Sequence, residues 1–287
     1  MKTKFALTLI AAFTLLAPLA VRAQATPPVT TNSVVAELHA LVQQVQSQLN
    51  AGKTTEASLD NELKAFDALL AKHAGEKTDD VAQILYMKAM LYVEVFKDVD
   101  KGAAIIKQLK QDFPDTKFGQ NADKILASLA KQAEAKKIQA ALAPGAAFPD
   151  FSEIDLDGQP LSVGRFKGKV VLVDFWATWC GPCRAELPNV IATYKKYHSQ
   201  GFEIIGVSLD GKRDQLDAFL KDNPDVKWQQ FFDGTGAEAQ NWSSKLAAKY
   251  GVEAIPFTVL IGPDGKIINT DLRGDDLAAA VAKAVSK

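Results

Sequence analysis

The chain has 287 residues, 47% of them hydrophobic and 23% charged, with a formal net charge of −1. That is the composition of a folded chain with room for about two domains. A near-neutral balance gives no electrostatic grip on nucleic acid, and no nucleic-acid partner is expected.

Residues 1–25 read as a secretory signal peptide. Lys2 and Lys4 precede an apolar run from Phe5 to about Val21, and Ala23-Gln24-Ala25 supplies the small residues of a cleavage site. A cut after Val21-Arg22-Ala23 is a second option. An uncleaved anchor is the rival, disfavoured because the run is short for a span. No cysteine lies near the cleavage site, which excludes a lipoprotein anchor. The expectation is a periplasmic or otherwise exported protein, soluble after signal cleavage.

Residues 26–140 read as an all-α domain. Val34, Val35, Leu38, Leu41, Val42, Val45 and Leu49 recur at helical steps and share a face. Leu59, Leu63, Phe66, Leu69 and Leu70 repeat the pattern. Val81 to Phe96 is apolar on most sides, which predicts the central buried helix. Ala103–Phe113 and Phe118 to about Ala140 complete a set of about five helices. Phe66, Leu69, Ala82 and Leu85 are echoed about 40 residues on by Ile106, Leu109, Ala122 and Ile125. Ala103–Leu129 resembles a tetratricopeptide-type hairpin turned at Phe113-Pro114-Asp115-Thr116. Such a module either presents a groove to a partner or serves packing and homodimerisation.

Residues 141–147 read as a small-residue linker with a Pro144-Gly145 break. From Phe148 to the C-terminus the pattern changes. A β-hairpin turns at Asp157-Gly158. Strands follow at Lys169–Phe175, Phe202–Leu209 and Lys227–Phe232, with helices at Cys180–His198 and Lys212–Lys221. A helix over Asn241–Tyr250 leads to Phe257–Ile261 and Lys266–Thr270, which flank the Pro263-Asp264-Gly265 turn. Asp275–Val285 closes the chain as a helix. This order predicts a central mixed sheet flanked by helices.

The chemistry lies in Trp179-Cys180-Gly181-Pro182-Cys183, which holds both of the chain's two cysteines. Their spacing lets the sulfurs meet across the first turn of a helix as a redox disulfide, Cys180–Cys183. A bridge this short constrains the unfolded chain little, so exchange fits better than stapling. Zinc needs further ligands, and His39, His73 and His198 all lie far off in sequence, so no metal or other cofactor is expected. The helix N-terminus favours a thiolate at Cys180, the nucleophile. Cys183, expected to be the more buried, is the resolving thiol. Pro182 suits a first turn, whereas Pro188 is expected to kink the helix. Trp176 and Trp179 are expected to form an apolar lip, and Trp228 and Trp242 to pack in the core.

Val173-Asp174-Phe175-Trp176-Ala177-Thr178-Trp179 and the Cys-Gly-Pro-Cys that follows resemble the active-site segment of thioredoxins. The wider pattern resembles the exported TlpA- and ResA-like branch. Its marks are Phe148-Pro149-Asp150-Phe151, the Cys183-to-Pro188 run with Glu186, and Tyr250-Gly251-Val252 ahead of Ile255-Pro256. The resemblance implies an α/β thioredoxin-like domain, preceded here by the all-α domain. It also implies an acid, Asp174, buried beneath the cysteines and able to shuttle the Cys183 proton. Glu186 matches that branch's active-site acid, and Pro256 the cis-proline that faces the disulfide and exposes backbone to an extended substrate. One departure is Gly206, at the place of the thioredoxin lysine. Proton handling is therefore expected to rest on Asp174 and Glu186 as a coupled pair.

The resulting expectation is a thiol–disulfide oxidoreductase that reduces protein disulfides, for example in cytochrome c maturation, and draws electrons from a membrane donor. Three rival readings stay open: a partner-binding helical scaffold with a redox head, an isomerase-like dimer, and a thiol peroxidase. The peroxidase loop Pro-x-x-x-Thr-x-x-Cys is not matched, because Thr178 precedes Cys180 by two residues.

Overall fold

The computed structural model describes residues 33–234 and 244–286. The signal segment, Trp242 and the first residues of the helix expected at Asn241–Tyr250 lie outside the described residues. The chain divides into two compact units, one running to Ala130 and the other from Lys131 on.

The first unit is helical. Its elements are α1 (Val34–Asn50), α2 (Asp60–Lys72), α3 (Asp79–Met90), α4 (Val99–Asp112) and the first part of α5 (Lys117–Ala141). Side chains of Ser33, Thr78 and Asp98 cap α1, α3 and α4 by accepting from the amides of Ala36, Val81 and Lys101. α3 runs on through a π-helical turn at Leu91–Val95, and both segments are buried along most of their length, as the apolar stretch predicts. Gly102 lets α4 approach closely, since a Cβ there would fall 2.4 Å from Val93 Cγ2. The turn into α5 is closed by Thr116, whose hydroxyl donates to Phe113 O and accepts from Gly119 N.

The second unit is built on a mixed sheet. β1 (Glu153–Ile154) and β2 (Pro160–Leu161) form a separate antiparallel pair. The main sheet comprises β3 (Val170–Trp176), β4 (Phe202–Ser208), β5 (Gln229–Phe232), β6 (Phe257–Ile261) and β7 (Ile267–Thr270), in the order β5-β4-β3-β6-β7. β3, β4 and β5 are parallel, and β6 runs antiparallel to both β3 and β7. The helices are α6 (Gly181–Tyr197), α7 (Arg213–Asp222), α8 (Lys245–Lys249) and α9 (Gly274–Val285). Pro188 lies within α6, where its ring nitrogen leaves the Arg184 carbonyl without its usual donor.

β3 is buried on both faces and its side chains alternate between two cores. Val171, Val173 and Phe175 pack with Phe148, Phe151 and Tyr250. Val170 and Leu172 face the other way and pack with Val190 and Tyr194 of α6 and with Leu277 and Val281 of α9. By the same alternation Asp174 points to the α6 side, which places it under the helix that carries the cysteines.

Residues 141–147 are tied to this unit. Leu142 is buried in the Phe148–Tyr250 core. Gly145 N donates to Ile267 O, and Ala146 O accepts from Ile267 N. Gly145 takes a positive φ of 88° there, which glycine adopts without strain. The last turns of α5 belong here too: Gln139 Nε2 donates to Gly251 O at 2.7 Å.

Candidate active site

β3 ends at Trp176 and α6 begins at Gly181, so the intervening loop presents the cysteines at the sheet's carboxyl edge. Cys180 is the N-cap of α6, Pro182 sits in its first turn, and Cys183 N donates to Cys180 Sγ at 3.2 Å. A thiolate at Cys180 would thus meet an amide donor and the positive end of the helix dipole. The sulfurs are joined in a disulfide, with Cα atoms 5.2 Å apart. Burial does not separate the two residues: Cys180 is 4% exposed and Cys183 5%. Cys180 is covered because Trp176, Leu216 and Ile255 pack around the pair.

The two expected tryptophans part company. Trp176 is buried in the cluster around the disulfide, whereas Trp179 is 41% exposed beside it. Trp228 packs against Tyr194, with ring centroids 5.4 Å apart. The Ile255–Pro256 bond is cis, and Ile255 O lies 3.6 Å from Cys180 Sγ. Of the histidines, His73 contacts Glu76 Oε1 and His198 contacts Phe202 O, each remote from the cysteines.

Beneath the disulfide a narrow cavity is lined by Asp174, Cys183, Glu186, Trp228, Pro256 and Arg273, among others. Asp174 is 8% exposed, and its carboxyl is pushed up to about 7. Burial is the main cause, the Glu186 carboxylate adds to it, and the Arg273 guanidinium opposes it. Glu186 reaches the C-terminal helix: its Oε1 accepts from Gly274 N at 2.6 Å and its Oε2 from Asn189 Nδ2 at 3.2 Å. Among the described residues no cluster of His, Cys, Asp and Glu is arranged to hold a metal ion.

Sequence reasoning missed further residues that shape the site. Asp210, fully buried, accepts from the Thr178 amide and, at 2.6 Å, from its hydroxyl, and also from the Ser208 hydroxyl at 2.7 Å. It anchors the loop that carries Cys180. Gly206 pairs with Asp174 in register, and the side chain of Gln230 from β5 lies over it. Gln230 Oε1 accepts from Trp176 Nε1 at 3.0 Å. Arg273 Nη2 donates to Pro256 O at 2.6 Å. The signal for Asp210 was its place just past a buried strand. Arg273 stands in a stretch with no motif.

A thioredoxin-type sheet with a two-cysteine N-cap over a buried acid defines a dithiol–disulfide redox protein. The Redoxin family model matches residues 143–285. The thiol-disulfide oxidoreductase ResA of Bacillus thuringiensis subsp. konkukian is 32% identical over 139 residues, 48% of this chain and 75% of that protein. ResA of Bacillus subtilis is 31% identical, over 44% of this chain and 66% of that protein. A solved thioredoxin domain of a thiol-disulfide oxidoreductase from Bacteroides vulgatus is 35% identical. It covers 50% of this chain and 98% of its own, with a TM-score of 0.44. The chain belongs to the ResA-like branch of the thioredoxin superfamily and is an enzyme of the thiol–disulfide oxidoreductase class.

Proposed function

We propose that this chain reduces disulfides of exported proteins through the Cys180–Cys183 dithiol. The observation that carries the reading is the stacking of three elements: Cys180 at the α6 N-terminus, Cys183 one turn in, and Asp174 buried below with its carboxyl near 7. In the reduced protein the Cys180 thiolate attacks a substrate disulfide. The substrate S–S bond breaks, one substrate sulfur leaves as a thiolate that takes up a proton, and a mixed disulfide remains. Cys183 then gives its proton to Asp174 and attacks Cys180 Sγ, which releases the second substrate thiolate; that thiolate takes up a proton, and Asp174 returns its own to solvent. The products are the Cys180–Cys183 disulfide and a dithiol substrate, a two-electron exchange. Glu186 and Arg273 set the charge around Asp174. Trp179 offers an exposed apolar surface beside the disulfide, and the half-buried Ile255 carries the backbone with which an extended substrate segment would pair.

Export rests on the charged and apolar pattern of residues 1–25. Among the described residues no helix is long and apolar enough to cross a membrane. Outside the cytosol the oxidised enzyme needs a membrane thiol donor to regain two electrons. Cytochrome c maturation, or the upkeep of another exported thiol, is the destination we assign. The helical unit is assigned a partner-docking role from the resemblance of Ala103–Leu129 to a tetratricopeptide-type hairpin.

A trapping experiment tests the reading. Cys183→Ser should leave Cys180 joined to its substrate in a stable mixed disulfide, and mass spectrometry names the substrate. Trapping by Cys180→Ser instead would reverse the two roles. Cross-links from the trapped partner into residues 33–130 support docking by the helical unit, and their restriction to the redox unit removes it.

A further inference from the structure

Arg273, in the turn between β7 and α9, lines the same cavity as the buried Asp174 and the half-buried Glu186. Asp271, at a positive φ of 58°, turns the chain out of β7. Its amide donates to Thr258 O at 2.8 Å, and Thr258 Oγ1 donates to Leu272 O at 3.1 Å. Thr258 is the β6 residue directly opposite Asp174, so the turn is sewn to the strand position beside the buried acid. Arg273, next in the turn, donates through Nη2 to Pro256 O and to Asp271 Oδ1, both at 2.6 Å. The following amide, Gly274 N, donates to Glu186 Oε1. Asp174, Cys183, Glu186, Pro256 and Arg273 line the same narrow cavity.

We propose that Arg273 is a positioning residue of the exchange reaction: it holds the Pro256 carbonyl beside the dithiol and supplies the positive charge that the Asp174–Glu186 pair faces, which lets Asp174 carry the negative charge it needs to receive the Cys183 proton. The place over Gly206 offers no such charge, because the neutral amide of Gln230 fills it. The titrating and charged groups that face Asp174 are Cys183 and Glu186 from α6 and Arg273 from the turn, with Asp271 paired to the guanidinium. Thr258 and Trp228 complete the cavity wall without titrating near neutral pH. Burial and Glu186 both raise the Asp174 carboxyl, and Arg273 is the group that lowers it. Asp271 shares the guanidinium.

This proposal rests on the reading that Asp174 exchanges a proton with the dithiol, and the two are tested apart. Carboxyl carbon NMR on the oxidised full chain follows the Asp174 titration without turnover. Arg273→Gln, which keeps a donor for Pro256 O, should raise the Asp174 midpoint by about half a pH unit or more. Arg273→Lys should hold it close to the wild-type value. Arg273→Met gives the same reading if the glutamine variant does not fold. A midpoint in either neutral variant that stays in place or falls overturns the role of Arg273. The pH profile of exchange by the reduced protein should then move with the midpoint. A shifted midpoint with an unshifted rate profile would instead sink the proton role of Asp174, and this proposal with it.

Discussion

The backbone N–H of Gly274 donates to Glu186 Oε1 at 2.6 Å, so the helix that carries the cysteines meets the start of α9 through a carboxylate. A helix N-terminus favours negative charge, and one of its unpaired donors is satisfied here. Glu186→Ala should cost about 1 kcal/mol of stability in urea denaturation. Glu186→Gln keeps an oxygen acceptor and should cost less. The glutamine also removes the like charge facing Asp174, so the Asp174 midpoint should move down. A midpoint that rises in the carboxyl titration would contradict this.

Asp174 makes stability depend on pH. Its carboxyl lies near 7 in the folded protein against an ordinary value of 3.8. Between these values the folded protein holds a proton that the unfolded chain has released. Stability is therefore fully present below about pH 4 and declines up to about pH 7, by on the order of 4 kcal/mol. Asp174→Asn removes the slope, so its advantage over wild type should widen from pH 5 to pH 8. Urea midpoints across that range check it, and a constant gap would mean that Asp174 titrates as an ordinary carboxyl.

Asp210 holds the loop that carries Cys180 through Thr178. Asp210→Ala leaves the Thr178 amide and hydroxyl and the Ser208 hydroxyl without their buried acceptor. The expected loss is about 3 kcal/mol. Thr178→Val removes only the hydroxyl and should cost about 1 kcal/mol. The double variant should lose less than the sum, because both changes break one network. Strict additivity would argue that the two residues do not act together.

Gly206 is fixed by its neighbour across the sheet. A Cβ there would fall 2.1 Å from Gln230 Oε1. Gly206→Ala should cost about 1–3 kcal/mol as the amide is forced away and Trp176 Nε1 loses its acceptor. Gln230→Ala in the same chain should recover part of the steric cost. Denaturation midpoints of the two single variants and the double variant decide it.

The order of elements from Val170 to Val285 is legible in the sequence because β3, β4 and β6 are short apolar runs and the longer helices carry apolar residues at helical steps. The placement of Cys180 at a helix start is legible from Pro182 and the preceding strand. Asp174 is legible because an acid inside a buried strand stands out from its neighbours. Arg273 and Asp210 are not, since each acquires its role from partners that only strand register and turns bring close: Pro256 and Asp174 for Arg273, Thr178 for Asp210. Gly206 is visible as a departure, but its reason lies in Gln230, which meets it through the parallel pairing of β4 and β5. The small residues and Pro144-Gly145 break of 141–147 suggest a linker, and the backbone hydrogen bonds it makes to the β6–β7 hairpin leave no mark in the sequence because they need no distinctive side chains.

The last turns of α5 set where the redox half can be separated. Ala135 and Leu142 are buried, and the amide of Gln139 is bonded to the Gly251 carbonyl. At Gly251 a side chain would strike the Ala135 backbone, 2.5 Å from its carbonyl oxygen. A protein begun at Phe148, where the motif resemblance begins, would lose the apolar side chain of Leu142 from its core and bare the Tyr250–Val252 turn that leads to Ile255 and Pro256. One begun at Lys131 would keep both covered. The redox half thus has a helical leader of its own, and its minimal form is set by buried surface rather than by the reach of its motif.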